Sequence, residues 1–285
     1  MNMRKPYVLA PFIVVLLLLN GWLTYLILIP REEKLEVHFL DIGQGDSILI
    51  EAPGGIDMLI DGGPDRSVMR QLPKKIGIFD RKIDVVIATH PDKDHIAGLP
   101  AVFSRYQVSY FIESGVEHDS QYVEALEEAV SSEPSLTVLT ARRGMRIRLG
   151  EEAYADILFP DRDVSNVETN DGSVILRLVY GDTSFVLAGD APSKLEDYLV
   201  SLDGSALNSD VLKASHHGSK NSTSDVWLQA VDSSIVVISA GRGNSYGHPA
   251  PDVVTRILNS GARIYSTIED GTVTIISDGE EVWMK

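Results

Sequence analysis

Apolar residues are distributed along this chain in two distinct ways. From Tyr7 to Ile29 they are almost unbroken, and from residue 35 onward they fall into short runs separated by polar turns. The first pattern predicts one long helix, which at about 1.5 Å per residue reaches across a hydrocarbon core of about 30 Å. The second predicts strands at Leu35–Leu40, Ser47–Glu51, Asp57–Ile60 and Asp84–Thr89. Helices are expected at Ile96–Ser104 and at Ser120–Ser131, where Val123, Leu126 and Val130 recur at helical spacing. Further strands are expected at Val138–Thr140, Met145–Leu149, Ala155–Phe159, Val174–Tyr180 and Ser184–Ala188. Then come a helix at Ser193–Leu199, a strand at Val211–Ala214, a helix at Ser224–Ala230 and a strand at Ile235–Ser239. A helix at Pro251–Asn259 precedes closing strands at Arg263–Ser266 and Val273–Ser277. No fixed repeat or low-complexity linker interrupts this series, so it predicts one two-sheet α/β domain with helices outside. The expected organisation is an N-terminal membrane anchor at 1–30, a charged linker at 31–34 and a domain at 35–285.

Flanking residues refine the reading of the apolar run. Leu-Ile-Leu-Ile-Pro leads straight into Arg31-Glu32-Glu33-Lys34 without small residues at a cleavage position, so an uncleaved transmembrane helix is expected rather than a removed signal. Arg4 and Lys5 stand before the run without an acid, which by the positive-inside bias places residues 35–285 outside the cytoplasm at the cell membrane. The chain has no cysteine, which excludes disulfides and thiolate chemistry. Its net charge of −16 repels polyanions, so no stable nucleic-acid complex is expected, although a metal-bearing cleft can override that locally.

The chemistry concentrates after the strand at 84–89. Thr89-His90-Pro91-Asp92-Lys93-Asp94-His95 packs four potential metal ligands into six residues. A solvated turn explains the acids but not the companions of this run. The strand at 184–188 ends in Gly189-Asp190, that at 211–214 in Ser215-His216-His217-Gly218-Ser219, and that at 235–239 leads on to Gly247-His248-Pro249. Ligands at the carboxyl ends of successive strands converge on one sheet edge. His38, alternating with apolar neighbours, reads as structural, and His118 reads as a surface residue.

The ordered set resembles the metallo-β-lactamase superfamily. Asp41-Ile42-Gly43-Gln44-Gly45-Asp46-Ser47, Asp61-Gly62-Gly63, His216-His217-Gly218-Ser219 and Tyr246-Gly247-His248-Pro249 narrow it, being similar to the extracellular hydrolase domain of ComEC-type competence DNA-uptake proteins over residues 35–260. The resemblance implies an αββα sandwich with a dinuclear metal site. His90 and Asp92 would bind one ion, Asp94 and His95 the other, with Asp190 bridging and His216 a further ligand. His217 and His248 would line the site as ligand or proton donor, and Asp94, His217 and His248 form the expected catalytic set. The superfamily's additional histidine before Gly-Asp is absent; Thr169-Asn170-Asp171-Gly172-Ser173 stands there, leaving the first ion's third protein ligand unassigned.

Asp92 stands where many relatives carry histidine, which makes the site more oxygen-rich and shifts its preference from zinc towards Mn²⁺ or Mg²⁺. Two divalent ions, Mn or Zn first and Mg after them, are the expected cofactors. The expected activity is hydrolysis by a metal-bridging hydroxide, foremost a phosphodiesterase or nuclease acting on extracytoplasmic DNA. Lys213, Ser219, Lys220 and Arg242, with Arg256 nearby, are the candidate phosphate contacts. The alternatives are a hydrolase of a small ester, lactone, amide or nucleotide, and a metal-binding assembly protein without turnover.

Overall fold

The computed structural model describes residues 9–28 and 34–285. Two units divide the chain, Met1–Glu33 and Lys34–Lys285. In the first, helix α1 covers Leu9–Leu28, 20 residues without a charged side chain. Its length is about 30 Å. Among the described residues, no helix is long and apolar enough to cross a membrane. The expected anchor also includes residues 1–8 and 29–30, and the linker residues 31–33; these lie outside the described residues. Anchoring therefore rests on the sequence pattern.

The second unit starts with β1 (Leu35–Phe39), β2 (Ile48–Glu51), β3 (Asp57–Ile60), α2 (Val68–Lys75) and β4 (Lys82–Ala88). Short helices α3 (Lys93–Ile96) and α4 (Leu99–Phe103) lead to β5 (Gln107–Glu113), α5 (Gln121–Ser131) and β6 (Thr137–Thr140). Next come β7 (Arg146–Arg148), β8 (Ala153–Phe159), β9 (Ile175–Tyr180), β10 (Thr183–Leu187), α6 (Ser193–Asp203) and β11 (Val211–Lys213). The chain continues through α7 (Asp225–Val231), β12 (Ile235–Ile238), α8 (Pro251–Asn259) and β13 (Arg263–Ser266). It closes with α9 (Thr267–Asp270), β14 (Val273–Ser277) and β15 (Val282–Met284).

These strands form an eight-stranded sheet, β15-β14-β1-β2-β3-β4-β5-β6, and a seven-stranded sheet, β13-β12-β11-β10-β9-β8-β7. Strand alternation explains the layers. Leu35, Val37 and Phe39 of β1 point between the sheets and meet Leu176, Leu178 and Phe185 of the second sheet. The opposite face of the first sheet, with Leu49, Leu59 and Val86, packs on Leu72 of α2, Val102 of α4 and Leu126 of α5. The outer face of the second sheet, with Val186, Leu212 and Val236, packs on Leu199 of α6, Trp227 of α7 and Ile257 of α8. Three apolar layers thus give the expected αββα sandwich. The helix expected at Ile96–Ser104 is split, because the Gly98 Cα lies against the Gly62 carbonyl with no room for a side chain. Three elements carry no clear sequence signal: α2, which contains Pro73, β5, whose exposure is irregular, and the short β15.

Strand direction positions the site. β3, β4 and β5 are parallel, and so are β10, β11, β12 and β13. The carboxyl ends of β3 and β4 lead to Asp61 and Thr89-His90, while those of β10, β11 and β12 lead to Asp190, His216-His217 and Ser239. The two sheets join at this edge, where the Val174 amide donates to the Thr89 carbonyl at 2.8 Å.

Candidate metal centre

Two Gly-rich turns fix the backbone under the His90–His95 loop. The Asp46 amide donates to the Asp94 carbonyl at 3.2 Å, and the Gly62 amide to the His95 carbonyl at 2.6 Å. Gly45 has φ +126°, and any Cβ there would overlap the Asp94 carbonyl oxygen. Only glycine lets this turn approach so closely. His216 and His217 both adopt left-handed backbone, at φ 49° and 54°. Such strain in two consecutive non-glycine residues persists only where the surroundings enforce it. It turns both rings towards the edge where the sheets join.

Three imidazoles are anchored in the same way. His95 Nδ1 lies 2.7 Å from Asp61 Oδ2 and His217 Nδ1 lies 2.9 Å from the Ser239 carbonyl, so each donates through Nδ1. His90 Nδ1 lies 3.0 Å from Thr89 Oγ1, whose own hydroxyl donates to Asp61 Oδ2 at 2.7 Å. The three Nε2 atoms are left buried and without a hydrogen-bond partner. Fixing Nδ1 to an acceptor while Nε2 stays bare is how proteins prepare a histidine for metal.

Those bare nitrogens face carboxylates. Asp190 Oδ1 lies 3.4 Å from His95 Nε2, and Asp190 Oδ2 lies 3.3 Å from His217 Nε2 and 3.6 Å from His216 Nε2. Asp94 Oδ2 is 3.4 Å from His217 Nε2, and Asp92 Oδ2 is 3.6 Å from His90 Nε2. His90, His95 and Asp190 offer ligand atoms within 4.8 Å of one another, as do Asp94, His95 and His217. Asp190 Oδ1 is itself buried and unpartnered. Orphaned buried donors of both kinds cost free energy unless something fills the space between them. A pair of divalent cations fits this donor set.

Electrostatics keep the carboxylates of this set ionised, as cation ligands must be. Burial works against ionisation of Asp190, but His217 and His95 hold it well below the usual carboxylate range. Asp94 is held down by the same two histidines against the same opposition. Burial also opposes the charged forms of His95 and His217, yet Asp190 raises both well above the ordinary value. Asp92 is lowered despite burial by its polar neighbours His90 and Thr169.

The structure brings His90, Asp92, Asp94, His95, Asp190, His216, His217 and His248 to one place. His217, expected to line the site as ligand or proton donor, is buried within the donor set, and His216, expected as a further ligand, is half-buried with its Nε2 slightly further from Asp190. His248 lies beside them, its ring 5.4 Å from that of His216 and 6.4 Å from that of His217. Its Nδ1 is buried and unpartnered. Asn244 holds its loop, accepting from the His248 amide at 3.0 Å.

The expected phosphate contacts do not converge. Lys213 is fully buried, ion-paired with Asp46, and donates to the Gly189 carbonyl at 3.0 Å, so its ammonium is unavailable to a substrate. Arg242 donates to the Ile268 carbonyl at 2.6 Å and is otherwise exposed, and Arg256 donates to the Thr223 carbonyl at 2.8 Å. Ser219 is buried in the turn after the histidines, with its amide on the His216 carbonyl at 2.8 Å. Lys220, beside it, is exposed.

Three residues without an assigned role also belong to the centre. Asp61 anchors His95. Asp46 is fully buried and, although burial opposes it, Lys213 and His217 hold it at about 2. Asn170 lies in the turn replacing the absent histidine, with Nδ2 3.5 Å from His216 Nδ1 and Oδ1 buried and unpartnered. Asp46 and Asp61 stand in turns whose glycines advertise them, and Asn170 in the polar turn Thr169–Gly172.

Beside His90 opens a cavity of about 690 Å³, floored by Ala88, Ile96, Phe111 and Leu126 and edged by Glu113 and Glu127, with no lysine or arginine in its lining.

The chain is 28% identical over 256 residues to "ComE operon protein 3" of Bacillus subtilis, covering 84% of this chain and 32% of that protein. It is 29% identical over 260 residues to "Competence protein ComA" of Neisseria gonorrhoeae, covering 90% of this chain and 34% of that protein. It thus spans about a third of the length of these curated relatives, which are ComEC-type competence proteins. Among solved structures, Igni18, a metallo hydrolase from Ignicoccus hospitalis, shares the fold with a TM-score of 0.54 at 14% identity, covering 85% of this chain and 98% of that one. The family model of the metallo-beta-lactamase superfamily matches residues 40–242, and the protein belongs to that superfamily.

Proposed function

We propose that this protein is a dinuclear metal-dependent phosphodiesterase that degrades DNA outside the cytoplasm, tethered to the cell membrane through its N-terminal apolar helix. The carrying observation is the set of bare Nε2 atoms on His90, His95 and His217 facing Asp190, with Asp92 and Asp94 beside them. Two bound divalent cations would supply an activated water and neutralise charge on the attacked group. His90, Asp92 and Asp190 would hold one ion; Asp94, His95, His217 and Asp190 would hold the other. Asn170 Oδ1 is the candidate extra ligand on the first side, because it is the buried unpartnered oxygen in the turn that lacks histidine. His248, next to His216 and His217, would move a proton to the leaving oxygen, with Lys220 as an exposed cation in the following turn.

DNA as substrate is supported by similarity to competence proteins over about a third of their length, and with it a tie to DNA uptake. A second reading is supported by the cavity beside His90. Its apolar floor and carboxylate edge suit an uncharged or cationic group better than a run of phosphates. A small ester, lactone or amide would fill it.

The test is metal content together with turnover by the purified full chain in detergent. About two divalent ions per chain and degradation of DNA are expected. Asp94→Ala should lower turnover by roughly three orders of magnitude, the scale on which removing a group acting at the reacting charge is felt. Hydrolysis of small esters with intact DNA would establish the second reading instead. Tight metal binding without turnover on either panel would leave a binding protein.

A further inference from the structure

The run Tyr246-Gly247-His248-Pro249 supplies His248 to the metal centre and leaves Tyr246 without a role. Tyr246 stands on the segment joining β12 to α8 and is 67% exposed. A single exposed aromatic residue is ordinary. What sets this one apart is its neighbour. The phenol ring stacks on the His248 ring, with centroids 5.8 Å apart and planes inclined by 24°. The His248 ring lies in turn 5.4 Å from that of His216 and 6.4 Å from that of His217. Tyr246 therefore continues a row of rings that leads out of the metal centre, and most of its remaining surface meets solvent.

The backbone under this ring is fixed. Asn244 Oδ1 accepts from the amides of both Tyr246 and His248, at 3.1 and 3.0 Å. Its Nδ2 donates to the Gly241 and His248 carbonyls at 2.9 and 2.5 Å. The Gly241 amide donates to Gln44 Oε1 at 3.1 Å, and any Cβ on Gly241 would overlap the Gln44 amide. The segment is thus seated on the turn that packs against Asp94. At its far end the Ala250 amide donates to the Gly218 carbonyl at 2.8 Å, which ties it to the turn carrying His216, His217 and exposed Lys220. A ring held in place beforehand loses little freedom when something binds to it.

We propose that the exposed face of Tyr246 is a stacking platform for an unpaired nucleobase of the strand whose phosphodiester lies at the metal centre. The proposal rests on the phosphodiesterase reading above and adds to it how an acidic chain grips a polyanion. Lys213 is buried in an ion pair and Arg256 is bound to carbonyls, so cations free to meet phosphate near the centre are few. Base stacking asks for no positive charge and accepts any base, since every base has a π-face. It therefore suits a chain of net charge −16. Tyr246 would act on binding rather than on the chemical step, which separates it from its neighbour His248.

Two single-stranded oligomers of equal length and charge separate the roles: an oligothymidylate, and an abasic oligomer in which hydrogen replaces every base. Hydrolysis of each by the purified full chain in detergent with Mn²⁺ gives KM and kcat. Removing the bases should raise KM of the unsubstituted chain about tenfold, the worth of one stacked base. Tyr246→Ala should raise KM for oligothymidylate by the same about tenfold factor with kcat nearly unchanged, and leave KM for the abasic oligomer as it is. Tyr246→Trp, which keeps an aromatic face, should hold the low KM on oligothymidylate. A Tyr246→Ala variant that loses kcat equally on both oligomers, or binds fewer metal ions per chain, would make the residue a support for His248 and overturn the platform. Equal KM on the two oligomers for the unsubstituted chain overturns the platform alone and leaves phosphodiester hydrolysis standing. Hydrolysis of neither oligomer overturns the phosphodiesterase reading and this proposal with it.

Discussion

The two ends of the sheets gather carboxylates in opposite ways. At the carboxyl end, Asp46, Asp61, Asp94 and Asp190 are interleaved with His95, His217 and Lys213, and Asp46 is held at about 2 although fully buried. At the other end, Asp57 lies near Glu51, Asp80 and Asp84, with Lys82 as the compensating cation. There, burial and the neighbouring acids push Asp57 up to about 7. A cluster of acids is therefore not a metal site in itself. The first cluster has histidines whose outer nitrogens are tied down and whose inner ones are bare; the second sheds its excess charge by keeping a proton.

The sharpest way to break this contrast is at the paired histidines. If the bare Nε2 of His217 makes it a ligand, His217→Ala should lose about one of two ions per chain and lower turnover by roughly three orders of magnitude. His216→Ala should keep both ions and lower turnover far less. Metal content by elemental analysis beside turnover decides between them. The reverse pattern would restore His216 as the ligand and make the observed burial of His217 structural.

Next in size is Lys213, the cation that makes the buried acids of the site tolerable. Lys213→Met leaves Asp46 buried without its partner, and breaking a buried pair on one side costs about 3–5 kcal/mol. Chemical denaturation of the full chain should show that loss. Unchanged stability would mean that the site does not depend on its own cation, and the contrast with the far end would weaken.

Much of this was legible in the sequence, for physical reasons that also mark where legibility stopped. Buried strands ending in His90, Asp190 and His217 disclose both the sandwich and its functional edge, since alternation and strand-end chemistry are local. The choice between His216 and His217 is not local. It depends on left-handed backbone at both residues and on the Ser239 carbonyl from another strand. Lys213 ends a strand next to a site loop and reads as a phosphate contact; its inward aim is set by Asp46, 167 positions earlier in the sequence. Asp46 and Asp61 stand in recognised turns, but their partners became evident only when the two sheets were in place. β5 was hidden because its exposure alternates poorly, with Tyr110 at the surface beside buried Phe111.

The smallest expected effect tests the other half of the contrast. Asp57 has a folded value of about 7 against an unfolded value near 3.8. The folded chain thus holds a proton that the unfolded chain has already released. This contribution to stability is fully present below about pH 4 and is lost as pH rises towards about 7. Much of the carboxyl remains open to solvent, so screening limits the effect to about 1 kcal/mol. Asp57→Asn should therefore leave stability near pH 4 unchanged and raise it at pH 8, flattening the slope between them in thermal denaturation of the full chain. A slope that persists in the variant would show that the acids at this end are not coupled through Asp57. The two ends would then differ in their histidines but not in how they carry charge.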